Sequence, residues 1–349
     1  MQANWNIKRL GKEDEVLYDA FIKKNSIENP SVLGYHYNFY KKALEDSNVG
    51  EAFYTGLYDS DDIIAVLPGF IKTSNVGTVY NAMPFFGPNA GVLATIEHNT
   101  YEVHEALINY VCDQLNGFEN ILSAAFYTPF LSDNVEWYKQ ILQTDLVVDK
   151  YTQYLDIQST ELSAKIKYDL RKAEKAGLTL STDINDEKVN TLFEIYTQNC
   201  IDYSIPPKPK SFIESLASAS RKGEQVDFCF AHYENEIVGG MIVLYSATTL
   251  SYYLPCSLTS ARTIQPVTVM IDHALQQAKQ RGLKYWNWES SPTKESGVYK
   301  FKEKWGSIES EYKIFIKTFC SKEKFVEIGK EKIAEVFPYF FVYPFHLIN

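Results

Sequence analysis

Apolar and polar positions alternate along the chain in a way that predicts an α/β protein. Apolar residues recur at helical spacing in many segments, and period-two or continuous apolar runs separate those segments. The spacing predicts helices near residues 14–24, 36–46, 98–116, 133–143, 161–176, 186–202, 209–222, 262–281, 296–305 and 321–336. It predicts strands near residues 51–58, 62–72, 76–83, 119–126, 145–157, 178–182, 226–233, 237–246, 249–256, 283–288 and 308–318.

The same order of elements occurs twice. One copy begins with the strands of EAFYTGLYDSDDIIAVLPGF, from Glu51, and the other with VDFCFAHYENEIVGGMIVLY, from Val226. Each continues into a long helix, a strand, a short helix and a further strand. A repeat of roughly 170 residues indicates two copies of one α/β domain. We place them at residues 1–157 and 158–320, followed by a helical and aromatic tail at 321–349.

Composition and charge narrow the function classes. The chain has 349 residues, 45% of them hydrophobic, which is enough for two domain cores. Its formal net charge of −10 argues against a protein that binds DNA or RNA non-specifically, although a local basic patch can still hold a few phosphates. The five cysteines are isolated and the six histidines lack metal spacing, so neither a disulfide framework nor a metal site is predicted.

No segment has the composition of a membrane span. The N-terminal residues lack an apolar signal region, and no run reaches about 18 apolar residues. We therefore expect a cytoplasmic protein without stable membrane insertion. The tail VFPYFFVYPFHLI, Val336 to Ile348, comes nearest, but two prolines interrupt it. It is expected to pack on the body, with membrane-surface or dimer contact as the alternatives.

A basic helix is predicted at the start of the second domain. In AKIKYDLRKAEKAG, Ala164 to Gly177, the apolar residues share one face. The opposite face carries Lys165, Lys167, Arg171, Lys172 and Lys175. Charge runs are usually solvated faces. The alternative is contact with an anionic donor or nucleotide-linked acceptor, for which Arg171, Lys172 and Lys175 are the candidates.

The stretch GVYKFKEKWGS, Gly297 to Ser307, contains three lysines that differ in position. On a helical wheel, Lys300 and Lys304 lie on the polar side, whereas Lys302 falls inside the apolar arc. A lysine there either extends its ammonium along its stem to water or directs it into a cleft. A cation held beside a strand end is suited to stabilising developing negative charge.

These features together resemble the Fem-type peptidoglycan-bridge aminoacyltransferases. The motifs are the basic DLRKAEKAG helix, the strands FCFAHYENEIVGG, the helix end AKQRGLKYWNW, and GVYKFKEKWG. MPFFGPNAG, Met83 to Gly91, is similar to a Gly-Pro loop of the family. The resemblance implies two tandem GNAT-like (N-acetyltransferase-like) domains, each a mixed, mostly antiparallel sheet flanked by helices. It implies acyl transfer to an amine, and it assigns Lys302 to the family lysine near the acyl carbonyl.

Two departures from the family pattern bear on the donor. Simple GNAT enzymes hold the pyrophosphate of coenzyme A on a glycine-rich turn at a helix N-terminus. The corresponding segment, Thr259 to Asp272, has no glycine, although Arg262 is placed to contact a phosphate. The coiled-coil arm of some Fem-type enzymes is also absent, because no stretch between 186 and 222 sustains heptads.

An acid–base group is needed because an amine nucleophile loses a proton during acyl transfer. Glu289 is the best candidate, since it ends the predicted central strand YWNWE before the Lys302 helix. Tyr253 and Trp288 are the nearby substrate-binding candidates. The alternatives are a loop carboxylate paired with a lysine, and aromatic side chains packed in the core.

The sequence thus predicts an acyl- or aminoacyltransferase in cell-envelope or surface-sugar biosynthesis. Its co-substrate is acyl-CoA or aminoacyl-tRNA, its acceptor is a small-molecule, peptide or sugar amine, and it needs no bound cofactor. Direct attack without a covalent intermediate is expected. The alternative is a non-catalytic twin-domain protein that binds a nucleotide or peptide, which the missing glycine turn favours.

Overall fold

The computed structural model describes residues 5–85 and 90–347, which form two compact units. The first unit contains residues up to 32, residues 48–150 and residues from 311 onwards. The second contains residues 33–47 and 151–310. The predicted ranges 1–157, 158–320 and 321–349 differ from this division, because a helical segment near residue 40 joins the second unit and the tail belongs to the first.

Strands and helices alternate throughout the described residues. The strands are β1 (Trp5–Arg9), β2 (Glu51–Ala52), β3 (Thr55–Asp59), β4 (Asp62–Leu67), β5 (Phe70–Ser74), β6 (Gly77–Asn81), β7 (Leu93–Ala94), β8 (Ile121–Tyr127), β9 (Val147–Asp156), β10 (Thr179–Ser181), β11 (Val226–Tyr233), β12 (Glu236–Tyr245), β13 (Thr249–Ser257), β14 (Tyr285–Ser291) and β15 (Ile308–Thr318). The α-helices are α1 (Glu15–Asn25), α2 (Asn38–Asp46), α3 (Tyr101–Leu115), α4 (Val135–Leu142), α5 (Ala164–Lys175), α6 (Asp186–Asp202), α7 (Lys210–Arg221), α8 (Pro266–Gln280), α9 (Gly297–Glu303), α10 (Lys322–Ile328) and α11 (Lys330–Val336).

Most predicted elements are confirmed, and two of the differences fall at a proline and at a glycine. The strand predicted over 62–72 is two strands, β4 and β5, because Pro68 has no N–H for a ladder. The helix predicted over 321–336 breaks at Gly329, where φ is +84°. The short strands β1 and β7 were not predicted, since neither has an alternating pattern of useful length.

The first unit contains two sheets. One has the order β1-β3-β4-β7, and the other includes β15, β8, β6, β5 and β2 as neighbours. Helix α3 covers them with a buried face that includes Leu107, Ile108 and Val111. The aromatic tail packs here, with Phe337 and Phe340 buried. Asn81 Oδ1 accepts a hydrogen bond from the backbone N–H of Phe341 at 2.7 Å, which fixes the tail to β6.

The second unit has one sheet in the order β10-β11-β12-β13-β14-β9. All neighbouring strands are antiparallel except β13 and β14, which are parallel. In the described structure, this parallel pair is joined only over Thr249–Ser251 and Tyr285–Asn287. Both strands continue beyond those residues, so they separate and open a wedge at their carboxyl ends. Ligands of α/β sheets favour such an edge.

None of the described helices combines the length and the apolar character needed to cross a bilayer. Helices α10 and α11, which precede the aromatic tail, are seven residues each.

Candidate active site

Strand β14 places its side chains on two faces by simple alternation. Trp286 and Trp288 point into the core, where both are fully buried. Asn287 and Glu289 point to the other face. Trp288 lies 5.2 Å from Tyr252 and 6.0 Å from Trp305 between ring centroids. The structure therefore does not bring Trp288 to the substrate-binding surface predicted for it, because the strand period assigns it to the opposite face from Glu289.

Glu289 has a backbone conformation that side chains rarely adopt. Its φ is +58°, and the register of β14 against β9 shifts between Asn287 and Ser290, which marks a β-bulge. The carbonyl oxygen of Glu289 accepts hydrogen bonds from Thr152 Oγ1 at 3.0 Å and Lys302 Nζ at 3.1 Å. Its N–H donates to Asn287 Oδ1 at 3.0 Å. The bulge turns the Glu289 side chain towards the wedge.

Lys302 is buried, with 2% of its surface exposed. Its ammonium donates to the carbonyl oxygens of Glu289 and Ser290, both at 3.1 Å, and to Ser291 Oγ at 2.9 Å. Burial lowers the pKa of Lys302 to about 8, and the Glu289 charge opposes that shift. All three N–H groups are thus used on the β14 bulge. The sequence predicted Lys302 as a catalytic residue near the acyl carbonyl, and the observed contacts connect its ammonium to the backbone that carries Glu289.

The Glu289 carboxyl group has a pKa close to neutral pH. Burial raises its pKa to about 7, while a hydrogen bond from Ser251 and the charges of Lys302 and Lys208 act to lower it. Asn287 Nδ2 donates to Glu289 Oε1 at 3.0 Å, which orients the carboxylate. A carboxylate with a pKa near the operating pH is suited to accept a proton during catalysis.

Two tyrosines and a lysine share the surroundings of Glu289. The hydroxyl groups of Tyr253 and Tyr40 are 2.9 Å apart, and the Lys208 ammonium lies 5.4 Å from the Tyr253 ring centroid. Burial raises the pKa of Tyr253 well above its usual value, and nearby Tyr40 and Glu289 add to the shift. Burial lowers the pKa of Lys208 to about 8, against the charges of Cys200 and Glu289.

Sequence reasoning identified Tyr253 but missed Tyr40 and Lys208. Tyr40 lies on α2, more than two hundred residues before Tyr253 in the chain, so no local spacing connects them. Lys208 stands among prolines in the sequence IPPKP, which indicates a rigid loop. That rigidity was the available signal, because a lysine fixed by neighbouring prolines loses little backbone freedom when it forms a site.

The basic face of α5 is exposed, as the helical pattern predicts. Ile166 and Ala173 are buried, whereas Arg171, Lys172 and Lys175 are exposed. Ser163 is the N-cap of this helix, and its Oγ donates to the carbonyl oxygen of Lys304 at 2.9 Å. The amino end of the basic helix is therefore attached to the end of α9, which carries Lys302.

The turn before α8 differs from a glycine-rich phosphate loop. Gln265 occupies the N-cap position with φ +65°, and Pro266 is the first residue of the helix. Proline has no N–H, so one backbone donor is missing where a pyrophosphate would bind. Arg262 is exposed, with its guanidinium 5.8 Å from the Tyr203 ring centroid, and does not reach the Glu289 surroundings in any described contact. The loop Met83 to Gly91 includes residues 86–89, which lie outside the described residues.

Comparisons with known proteins agree with this fold. Residues 161–289 match the family model of an acetyltransferase (GNAT) domain. The structure of FemX aligns with 88% of this chain and 96% of its own, at 12% identity and a TM-score of 0.65. A tandem GNAT protein from the clavulanic acid biosynthesis pathway aligns with 91% of this chain and 100% of its own, at 8% identity and a TM-score of 0.56.

L-PGS from Bacillus licheniformis aligns with 81% of this chain and 92% of its own, at 16% identity and a TM-score of 0.53. No curated protein matches the chain. At identities this low, the structural alignments establish the fold alone. The predicted tandem GNAT architecture, with mostly antiparallel sheets flanked by helices, is confirmed.

Proposed function

We propose that this chain is an N-acyltransferase that transfers an aminoacyl group from tRNA to an amine in cell-envelope or surface-sugar biosynthesis. The match of residues 161–289 to an acetyltransferase (GNAT) domain supports the acyl transfer. The observation that carries the proposal is Glu289, a carboxyl group with a pKa of about 7 held at the wedge between β13 and β14. Its left-handed backbone indicates a functional position, because such strain is concentrated at active sites.

The reaction follows from the groups around Glu289. The carboxylate accepts a proton from the acceptor amine while the amine nitrogen forms a bond to the acyl carbonyl carbon. The ester bond between that carbon and the ribose oxygen then breaks. The leaving oxygen takes a proton from the Tyr253 hydroxyl, which is protonated before the reaction because its pKa is well above its usual value. The proton on Glu289 then passes back to the Tyr253 oxygen, which restores both groups. No covalent enzyme intermediate forms.

Lys208 and Lys302 have different parts in this reaction. The Lys208 ammonium, which lies over the Tyr253 ring, stabilises negative charge on the carbonyl oxygen in the transition state. Lys302 donates to the carbonyl oxygens of Glu289 and Ser290 in the bulge and so keeps the Glu289 carboxylate in place. It is a positioning residue, because its ammonium is used on Glu289, Ser290 and Ser291.

The choice of aminoacyl-tRNA over acyl-CoA rests on two features. The α8 turn lacks glycine and begins its helix with Pro266, which disfavours the usual grip on a pyrophosphate. The exposed cations of α5 suit an RNA backbone, even though the whole chain is acidic. The resemblance of the sequence motifs to those of Fem-type aminoacyltransferases supports the same donor.

The donor is tested by incubating the purified chain with mixed aminoacyl-tRNAs or with a panel of acyl-CoAs, each with amine acceptors, and by analysing the products by mass spectrometry. We expect an amide product with aminoacyl-tRNA. A product from acyl-CoA alone would overturn the choice of donor. Tight nucleotide or peptide binding with no product from either donor would overturn catalysis and favour the non-catalytic alternative.

A further inference from the structure

The first unit contains a cavity whose lining residues are not shared with the Glu289 site. Its volume is about 380 Å³, and it lies where the end of β7, the start of α3 and the segment between β8 and α4 meet. The walls come from residues 29–31, 92–99 and 129–137, all in the first unit. This size falls within the range of small-molecule sites.

The cavity walls are polar but almost uncharged. Amide and hydroxyl side chains line them, namely Asn29, Ser31, Asn99, Ser132 and Asn134. Among the described lining residues the only charged side chain is that of Asp133, and none is lysine or arginine. A phosphate or carboxylate ligand requires cationic partners or helix N–H groups that outweigh a neighbouring carboxylate. Apart from the amino end of α4, where Asn134 is the N-cap residue, the described lining offers an anion no cationic partner, and this favours a neutral ligand with hydroxyl groups.

The amide groups are held in fixed orientations. Asn29 Nδ2 donates to the carbonyl oxygen of Ala94 at 3.3 Å, and Asn29 Oδ1 accepts from the Ser31 N–H at 2.9 Å. His104 Nε2 lies 2.9 Å from Asn99 Oδ1 and 3.2 Å from Asn134 Nδ2. Prearranged hydrogen-bonding groups reduce the entropy that a ligand must lose on binding.

His104 helps to orient the cavity amides and carries no charge at pH 7. It is fully buried, and burial lowers its pKa to about 4, so the imidazole is neutral at pH 7. It connects two of the amides that line the cavity, Asn99 and Asn134. The imidazole that these two amides contact therefore adds no positive charge beside the cavity at pH 7.

Trp137 adds an aromatic surface to one wall. The indole is half-buried and is held in edge-to-face contacts by His104, at 5.1 Å and 73°, and by Tyr101, at 6.4 Å and 88° between rings. An indole fixed in this way offers a rigid apolar platform at little entropic cost. The combination of neutral amides and one indole face matches a pyranose ring, which has hydroxyl groups around its edge and apolar C–H groups on its faces.

We propose that this cavity binds a neutral sugar ring, with the asparagine amides bonding its hydroxyl groups and Trp137 packing against its C–H face. The inference does not rest on the acyl transfer proposed for the second unit. Its residues are not shared with that site, so the two can fail separately.

The test uses the full-length chain and saturation-transfer-difference NMR with glucose, galactose and N-acetylglucosamine as probes, followed by calorimetric titration of any binder. We expect saturation of at least one sugar, with its C–H protons on one ring face nearest the protein. Trp137→Ala and, separately, Asn99→Leu should each weaken binding about tenfold or more. Lys139→Ala, an exposed change on the same helix as Trp137, is the matched control and should leave binding unchanged.

Three outcomes would overturn the proposal. They are no saturation of any of the three sugars, unchanged affinity in both Trp137→Ala and Asn99→Leu, and tighter binding of inorganic phosphate than of the sugars. Asn99 is exposed, so Asn99→Leu should fold even if Trp137→Ala does not, and thermal unfolding of each variant checks this.

Discussion

The backbone of Glu289 links strain to function at the scale of a residue. A non-glycine residue at φ +58° costs roughly 1 kcal/mol or more, so neighbouring bonds must hold it there. Thr152 and Lys302 bind its carbonyl oxygen, and Asn287 binds its N–H. The sequence predicted both Glu289 and Lys302, but not that one supports the other, because the bulge depends on Thr152 from a distant strand.

The pKa of Glu289 predicts a pH-dependent stability. Folding raises this pKa from 4.5 to about 7, so the stabilising contribution is complete below pH 4.5 and is lost as pH rises through about 7. Glu289→Gln mimics the protonated form and should avoid that loss. We measure the free energy of unfolding in urea for both proteins at pH 5 and at pH 8. The value for the variant minus the value for the wild type should be larger at pH 8 than at pH 5.

Glu295→Gln, an exposed change in the loop after β14, serves as the control and should show no such pH-dependent gain. If Glu289→Gln and Glu295→Gln behave alike at both pH values, Glu289 does not have the raised pKa.

The role of Lys302 is separated from that of an ordinary surface lysine by a paired substitution. Lys302→Met removes the donor for two carbonyl oxygens and the Ser291 hydroxyl, and should lower the free energy of unfolding by about 1–3 kcal/mol. Lys300→Met, on the exposed side of the same helix, should change it by no more than about 0.5 kcal/mol. Equal denaturation midpoints for both variants would show that the buried contacts do not hold the bulge.

At the scale of elements, helix α5 shows what hydrophobic periodicity can predict about a helix and what it cannot. The pattern predicted its buried and exposed faces, and both are confirmed, because one turn-to-turn spacing decides them. Periodicity alone cannot identify what an exposed face binds. Periodicity also did not predict the contact between Tyr40 on α2 and Tyr253 on β13, because that contact depends on how α2 packs beside α7.

The basic face of α5 predicts salt-dependent tRNA binding. Replacing Arg171, Lys172 and Lys175 with glutamate should weaken tRNA binding and reduce the slope of log affinity against log salt by about one for each lost phosphate contact. Fluorescence anisotropy over a salt series measures this. The control is a glutamate substitution at exposed Lys330 on α11, which should leave the slope unchanged. An unaltered slope in the triple variant would remove α5 from the donor surface.

At the scale of the whole molecule, the repeat in the sequence predicted two domains, but the chain crosses between them more often than a tandem repeat requires. Residues 33–47 belong to the second unit and residues from 311 onwards to the first. The repeat fixes the order of elements, not the unit in which each one packs. In β15, residues Ile314–Thr318 pair with β8, so a segment late in the chain adds a strand to a sheet of the first unit.

This interleaving predicts that the chain cannot be divided at the sequence boundary. A fragment of residues 1–157 lacks β15, and a fragment of residues 158–349 lacks α2, whose Tyr40 packs on Phe212 at 5.4 Å. We expect neither fragment alone to give a cooperative thermal transition by circular dichroism, in contrast to the full chain. Cooperative unfolding of both fragments would show that the two units fold without the exchanged segments.

The single-turnover rate of amide formation from aminoacyl-tRNA, followed against pH, tests the central claim most directly. With Glu289 as the base, the wild-type rate should rise about tenfold per pH unit below its pKa of about 7 and level off above it. Glu289→Gln should be slower by about a hundredfold or more on the plateau and should lack this inflection. A Glu289→Gln profile that matches the wild type in both rate and inflection would contradict the account.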